Sequence, residues 1–488
     1  MKKISIIFYL LLITFSGFSQ NTFNLHYGNA TRNEWNQQVI ETTAGDFIAG
    51  FNTSPYPYNA VFLKISETGT ITLQKQFDNR VLYGIKEKMQ SYFCFGVYLE
   101  SPDSMSFFAM YLDDNFNIIS EKRYQIPDFK NTDELRSDKA FIEKNDTFYC
   151  LVSRGTPTTY GTHHPHGYYF ILSEQCDSLK SGIIGSGSVT PYGICQNPKT
   201  DGFLVTGSDF DDISGPGQLG FLDKDLNFIE SKHFAISPYM FFLQIDISLV
   251  GENIIAASND LGTYQSESQI SAVVFDTSMT TYAFSRFGKP ELRCNAARTN
   301  GLLVDSFKNI YISGTVGYSG WPFQIDNNWI VIAKTDSLLV TKWEKFYGGD
   351  AYYDACDMSL CSNGGLILSA ARYDENLNNN EFDGYIFKVD SAGNGPLLSD
   401  TKKNSVNVCE LIIYPNPGTA EITVRTASQA LGGEFILCDI LGKQVFQTSV
   451  KERFTSVSTN TLPEGVYVYK YILNGKIKET GKWVKAKK

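Results

Sequence analysis

A short apolar run of strand length recurs seven times in this 488-residue chain, beginning at Phe47, Phe93, Phe148, Phe203, Ile254, Ile310 and Leu366. Successive gaps are 46, 55, 55, 51, 56 and 56 residues. A period of that size means one supersecondary unit copied along the chain, because each copy can bury its apolar face only against its neighbours. A second run follows each first one after a variable loop: Val61 to Ile65, Phe107 to Leu112, Tyr168 to Leu172, Leu219 to Leu222, Ala272 to Phe275, Trp329 to Ala333 and Tyr385 to Val389. Aromatic and branched residues fill both sets, and their length fits strands.

Directly after the second run, the aligned position holds Ser66, Asp113, Ser173, Asp223, Asp276, Asp336 or Asp390, short polar residues that cap the first position of a tight turn. A third run follows, clearest at Leu73 to Phe77, Ile119 to Tyr124, Ile229 to Phe234, Tyr282 to Phe287 and Lys342 to Tyr347, and an earlier strand such as Gln38 to Thr42 or Tyr192 to Gln196 precedes each unit. Each unit is therefore four antiparallel strands. Seven of them predict an all-β chain whose residues 20–396 form a seven-bladed β-propeller.

The last unit runs into Gly393, Gly395 and Pro396 where its fourth strand belongs, while Phe23-Asn24-Leu25-His26-Tyr27-Gly28 matches the style of Trp343-Glu344-Lys345-Phe346-Tyr347-Gly348. The N-terminal strand is expected to complete the seventh sheet, which removes an exposed edge. This closure is similar to that of WD-repeat propellers, although the WD dipeptide is absent. The Gly-rich turns and Trp/Tyr-Gly-Gly endings resemble degenerate propeller repeats of secreted bacterial proteins.

Lys2 and Lys3, the apolar stretch Ile4 to Ile13, and Gly17 and Ser19 at the −3 and −1 positions read as a signal peptide over residues 1–19. The first cysteine is Cys94, so a lipoprotein anchor is not expected, and no later segment approaches the ~20 apolar residues of a spanning helix. Nine cysteines are an odd number, so at least one thiol stays outside any internal pairing. Cys94 and Cys150 read as buried small hydrophobes, and Cys356 and Cys361, five apart on a strand, should face opposite sides. Residues 409–488 carry 11 Lys+Arg and 7 Asp+Glu, net +4; residues 1–408 therefore hold 42 − 11 = 31 against 52 − 7 = 45, net −14. An acidic body of this kind excludes nucleic acid as the expected partner.

Residues 397–408 read as a linker, and 409–488 as a separate small β-sandwich. Tyr414-Pro415-Asn416-Pro417 makes an extended lead-in, Asp439 and Gly442 flank a hairpin turn, and Leu462-Pro463-Glu464-Gly465 precedes a strand from Val466 through Tyr467 to Ile472. In that order, with the basic end Lys482, Lys485, Lys487 and Lys488, the segment resembles the type A C-terminal sorting domain of the type IX secretion system. The resemblance implies passage through the outer-membrane machinery, a secreted or surface-attached product, and removal of the tail, often with attachment of the cargo to surface lipopolysaccharide.

The second-to-third connections are long and should open on one face of the propeller, where functional loops collect. They carry Tyr56, Tyr58, Tyr160, Tyr264, Tyr318, Trp321, Phe323, and a run of Asp and Asn from Asp374 to Asp383. Aromatic faces beside Asp and Asn suit sugar rings or a protein partner, and they equally suit packing of the loops on one another. His163, His164 and His166 offer imidazoles for zinc or copper without further ligands at a suitable spacing, which reads better as a solvated loop. Asp374, Asn376, Asn378 and Asn380 alternate like a calcium loop, but Asn379 stands where the turn Gly belongs and Tyr385 where the bidentate Glu belongs. No cofactor motif is evident, and calcium, held loosely by residues such as Asp374, Asn376 and Asp383, is the one ion the oxygen-rich loop suits. Gly215-Pro216-Gly217-Gln218-Leu219-Gly220 matches a phosphate-loop spelling but leads into a strand.

The sequence thus points to a binding module for a polysaccharide or surface protein. An enzyme acting on polysaccharide through Asp209, Asp211 and Asp212, and a purely structural adhesive protein, are the alternatives.

Overall fold

The computed structural model describes residues 22–28, 32–54, 57–101, 104–125, 134–136, 140–158, 161–184, 189–209, 217–234, 242–260, 268–318, 327–374, 381–396, 411–414, 416–426, 431–440, 442–452, 454–473 and 475–486. The signal peptide and the linker lie outside these residues. The chain divides into two units, residues 1–401 and 402–488, and every described regular element is a strand.

In the first unit β1 (Phe23–Tyr27) stands apart in sequence from the sheet it joins. Sheet 1 is β2 (Asn33–Glu41), β3 (Phe47–Ser54), β4 (Asn59–Ile65) and β5 (Ile71–Asp78). Sheet 2 is β6 (Arg80–Lys88), β7 (Ser91–Ser101), β8 (Ser104–Leu112) and β9 (Ile118–Tyr124). In sheet 3 the short β10 (Glu134–Arg136) and β11 (Phe141–Lys144) both pair with β12 (Thr147–Thr158), followed by β13 (Gly161–Leu172) and β14 (Ser178–Ile183). Sheet 4 is β15 (Val189–Gln196), β16 (Phe203–Asp209), β17 (Gly217–Leu222) and β18 (Phe228–Phe234). Sheet 5 is β19 (Phe242–Val250), β20 (Asn253–Asp260), β21 (Gln269–Phe275) and β22 (Thr281–Phe287). Sheet 6 repeats the split, with β23 (Cys294–Ala296) and β24 (Leu302–Val304) on β25 (Ile310–Val316), then β26 (Trp329–Thr335) and β27 (Thr341–Gly348). Sheet 7 is β28 (Tyr352–Leu360), β29 (Leu366–Tyr373), β30 (Asp383–Val389) and, as its outer strand, β1.

These are propeller blades. Second strands are buried along their whole length, as in β3, whereas fourth strands such as β5 alternate exposed with half-buried residues, so the fourth strand is outermost. Apolar clusters fill the space between consecutive sheets: Phe62, Phe77, Tyr92 and Phe108 between sheets 1 and 2, and Phe93, Phe107, Phe148 and Phe170 between 2 and 3. The seventh sheet meets the first through Phe23, Phe47, Phe51, Ile367 and Ile386. β1 pairs with β30 residue by residue, from Phe23 opposite Lys388 to Tyr27 opposite Gly384. Hydrogen bonds also cross that seam: Val39 N donates to the Asp357 carboxylate Oδ2 at 2.8 Å, and Glu34 N donates to the Phe382 carbonyl at 2.7 Å.

The turn residues act as the aligned polar position predicts. At Asp113 the carboxylate accepts from the N–H groups of Asn115 (2.9 Å) and Asn117 (2.7 Å), while Phe116 N donates to the Asp113 carbonyl at 2.9 Å. The fourth turn residue is left-handed, φ +59° at Phe116, and a one-residue register shift follows between Tyr111 and Leu112, the signature of a type I turn with a bulge. Asp223, Asp276, Asp336 and Asp390 repeat the arrangement. Glycine would be the low-cost occupant of the left-handed position, as at Gly69 and Gly393, yet Phe116, Cys176, Leu226 and Leu339 stand there and are buried. Phe116 plugs the groove between sheets 1 and 2, with ring centroids 5.7 Å from Phe62 and 5.8 Å from Tyr92. Phe116→Ala should therefore cost about 3–5 kcal/mol by opening a cavity, measured by denaturant unfolding; a loss under ~1 kcal/mol would show that the plug contributes little.

Lysines on outer strands reach the turn of the next sheet: Lys75 to Asn117 at 2.9 Å, Lys122 to Asp177 at 3.1 Å, Lys180 to Asn227 at 3.0 Å and Lys345 to Asn394 at 2.7 Å. Between consecutive sheets, amide side chains latch one sheet to the next backbone. Asn52 accepts from Leu82 N (2.6 Å) and donates to the Leu82 carbonyl (2.9 Å), and Asn328 treats Tyr353 in the same way.

Eight cysteines among the described residues are buried and unbonded to one another, including Cys94, Cys150, Cys356 and Cys361. Burial pushes the Cys94 and Cys150 thiols well up, so they act as small hydrophobes.

The second unit is a two-sheet sandwich. One sheet holds β31 (Leu411–Tyr414), β32 (Glu421–Thr426) and β35 (Phe454–Ser458); the other has the order β34 (Gln444–Val450), β33 (Gly433–Cys438), β36 (Gly465–Leu473) and β37 (Lys476–Lys485). Ile422, Val424, Phe435, Leu437, Tyr471 and Trp483 fill its core. The motif residues have structural work here. Asn416 donates to the Lys482 carbonyl and accepts from Val484 N, both at 2.9 Å, tying the lead-in to β37. Gly442 (φ +83°) closes the Asp439 turn, and the Tyr467 hydroxyl donates to the Pro463 carbonyl at 2.7 Å. Pro415 lies outside the described residues, as do the side chain of Tyr414 and all of Leu441.

Candidate functional site

Where the long second-to-third connections emerge, the fourth-to-first connections emerge too, and together they build the site. Arg293 leads into sheet 6, which begins at Cys294; its broken inner strand carries Arg298 between β23 and β24. The break has a cause: Arg298 N and Thr299 N leave their own sheet and donate to the carbonyls of Ala355 (3.0 Å) and Cys356 (2.8 Å) on β28. That detour sets the Arg298 guanidinium against Asp354. Arg298 Nε lies 2.6 Å and Nη2 2.5 Å from Asp354 Oδ2, and the arginine side chain keeps 37% of its surface exposed while the aspartate keeps 12%.

Aromatic residues border this ion pair. Tyr318 follows β25, and its N–H donates to the Arg293 carbonyl at 3.0 Å, which brings its ring under the Arg293 guanidinium at 5.1 Å. Tyr352 lies 6.5 Å from Tyr318 and 6.1 Å from Phe382 between ring centroids, and Trp35 stacks on Phe382 at 5.6 Å. Burial, with Asp354 and Tyr318 nearby, drives the Tyr352 phenol well up, so it stays a neutral hydroxyl at any ordinary pH. The result is a rim of half-buried Tyr318 and Trp35, backed by the buried Tyr352 and Phe382, beside a fixed guanidinium.

A second polar group lies farther out on sheet 7. Arg372 Nη2 meets Asp374 Oδ2 at 2.9 Å and Asp350 Oδ2 at 3.2 Å, its Nε donates to the Tyr353 hydroxyl at 3.1 Å, and His26 Nε2 stands 3.5 Å from Asp383 Oδ2. Burial and then Arg372 lower the His26 imidazole, while burial raises the Asp383 carboxyl. Asp374 and Asp383, singled out for calcium, are thus engaged by a guanidinium and an imidazole. Among the described residues no three His, Cys, Asp or Glu side chains converge as a metal site.

Of the residues singled out from sequence, Tyr318 joins the rim, and Tyr58 precedes β4 with about a third of its surface exposed. Tyr56, Tyr160, Tyr264, Trp321, Phe323, Asp211, Asp212 and Asn376 lie outside the described residues. Asp209 ends β16, and His163, His164 and His166 lie on β13, but their side chains are outside the description. Arg293, Arg298, Tyr352 and Asp354 were not anticipated, because attention to the second-to-third loops passed over the connections that share their face.

Residues 412–486 match the family described as the secretion system C-terminal sorting domain. No curated protein matches the chain. Among solved structures, a protein of unknown function from Dyadobacter fermentans is similar with a TM-score of 0.42 at 11% identity, over 75% of this chain and 97% of that one. A subtype N10 neuraminidase-like protein of A/little yellow-shouldered bat/Guatemala/060/2010 gives 0.37 at 6%, over 75% and 98%. PorZ of Porphyromonas gingivalis, a surface component of the type IX secretion system, gives 0.28 at 10%, over 91% and 74%.

Proposed function

We propose that this chain, whose tail is a type IX sorting domain, is a propeller cargo that serves as a binding module on the cell surface or in the medium, holding a glycan or protein on its long-loop face. The tail implies export. The observation that carries the binding role is the half-buried ring of Tyr318 beside the Arg298–Asp354 pair, backed by the buried Tyr352 and Phe382 and drawn from sheets 6 and 7. Flat aromatic faces beside a fixed polar group bind ring-shaped or side-chain partners at low ordering cost.

The test is binding of the full chain to arrays of bacterial and plant polysaccharide fragments and to surface-protein extracts, followed by titration of each hit. Tyr318→Ala should weaken the hit about tenfold or more. Phe307→Ser, on a short turn of the opposite face and 84% exposed, should leave it unchanged. Equal affinity in Tyr318→Ala would overturn the site, and release of new reducing ends from a bound glycan would mark an enzyme instead.

A further inference from the structure

We propose that the partner at this rim is an acidic saccharide, a uronate-containing glycan whose carboxylate is held by Arg293 and Arg298 while a sugar face lies against Tyr318. The inference rests on the long-loop face being a binding face and adds the ligand's chemical class. Three observations carry it.

First, Arg293 has a donor to spare. Its guanidinium sits over Tyr318, and its Nε is buried with no hydrogen-bond acceptor among the described residues. A buried N–H without an acceptor costs free energy, which a shift of the side chain toward an incoming oxygen would recover.

Second, Arg298 is held ready. Asp354 takes Nε and Nη2 on a single carboxylate oxygen, which fixes the plane of the guanidinium and leaves Nη1 outside that contact, on a side chain still 37% exposed. Holding the fork in place beforehand removes ordering cost when a planar carboxylate arrives. Arg293 and Arg298 are two cations in a body of net −14 over residues 1–408, so they suit a single anionic group rather than a polyanion attracted at long range.

Third, the faces next to these cations are rings. Tyr318 is half-buried under the Arg293 guanidinium, and the buried Tyr352, a neutral hydroxyl, backs it. Apolar faces with hydroxyl edges match a pyranose, which has the same division between C–H face and O–H rim. A glutamate or aspartate side chain would satisfy the arginines and leave the rings without a stacking partner.

The test is calorimetric titration of the full chain at low salt with trimers of galacturonate, glucuronate and mannuronate, with their methyl esters, and with hexaglutamate. Esterification keeps the rings and removes the charge. The expected result is binding of at least one trimer, weakened tenfold or more by esterification and by Arg293→Gln, with the Arg293→Gln melting temperature unchanged. Arg293 is chosen because Arg298→Gln would strand Asp354 and perturb the fold. If Arg293→Gln proves unstable, the acid-to-ester comparison on the unaltered chain decides alone. An ester that binds as tightly as the acid, or no binding of any trimer while a neutral glycan from the array binds with Tyr318 dependence, overturns the acidic class and leaves the binding face standing. Hexaglutamate binding tighter than every trimer overturns the saccharide. Loss of the Tyr318 dependence itself would remove the underlying reading as well.

Discussion

Deleting residues 22–28 is expected to lower the melting temperature of the propeller by on the order of 10 °C, by a loss of about 5 kcal/mol at roughly 2 °C per kcal/mol for a domain this large. The loss has named parts. Phe23 is buried at 7% exposure and sits 5.6 Å from Phe47 between ring centroids, and Tyr27 stacks on Phe51 at 5.2 Å. Truncating a buried aromatic costs about 3–5 kcal/mol by itself. The five residue pairs between β1 and β30 also vanish, and β30 becomes a bare edge open to pairing with other chains. Concentration-dependent aggregation should therefore accompany the lower transition. Adding the strand back as a peptide should restore part of the lost temperature, since a ligand of the folded state alone stabilises it. An unchanged transition in the deletion would mean that the seam between sheets 7 and 1 is held without β1.

The repeat made much of this legible. Short polar residues at Asp113, Asp223 and Asp390 announce turns because their carboxylates can accept the N–H groups two and four residues on, and the structure shows those bonds. Phe23 to Gly28 could be recognised as a displaced fourth strand because it copies the spelling of Trp343 to Gly348. The inner strands were harder. Those of sheets 3 and 6 are split, and in sheet 6 the cause is a bond to the next sheet's backbone, which no local pattern in residues 294–304 encodes. The amide latches had a signal that went unread: Asn52, and Asn259, whose side-chain oxygen accepts from Ala296 N on the next sheet, each stand five residues after the start of their second-strand run. A polar residue at the same place in two apolar runs marks a buried hydrogen bond to something outside its own strand.

The site was half legible for a related reason. Tyr318 lies on a long loop and stands out by type and place. Arg298 and Asp354 are 56 residues apart in the sequence and meet only because adjacent sheets bring their inner strands together. Periodicity says which residues share a sheet face, and it is silent on which side chains cross from one sheet to the next. In the tail the opposite holds for Gly442, Pro463 and Tyr467, which act within a few residues, so a linear motif carries them, whereas Asn416 reaches the distant Lys482 and Val484.

The central claim is a division of labour: residues of the first unit bind, and the tail is an export address. The second large effect follows from it. A chain ending after Asn407 should lose export altogether, with more than about nine-tenths of it retained in the cell, because the matched segment and its basic end are gone. Its propeller should still fold, since the core clusters of the first unit draw on residues 23–389 and those of the tail on 411–483. The direct measurement is fractionation of cells expressing the full and the shortened chain, with the propeller's glycan binding assayed in each fraction. Full-length protein is expected at the surface or in the medium, and shortened protein trapped in the periplasm with unaltered binding. Shortened protein exported as efficiently as the full chain would contradict it.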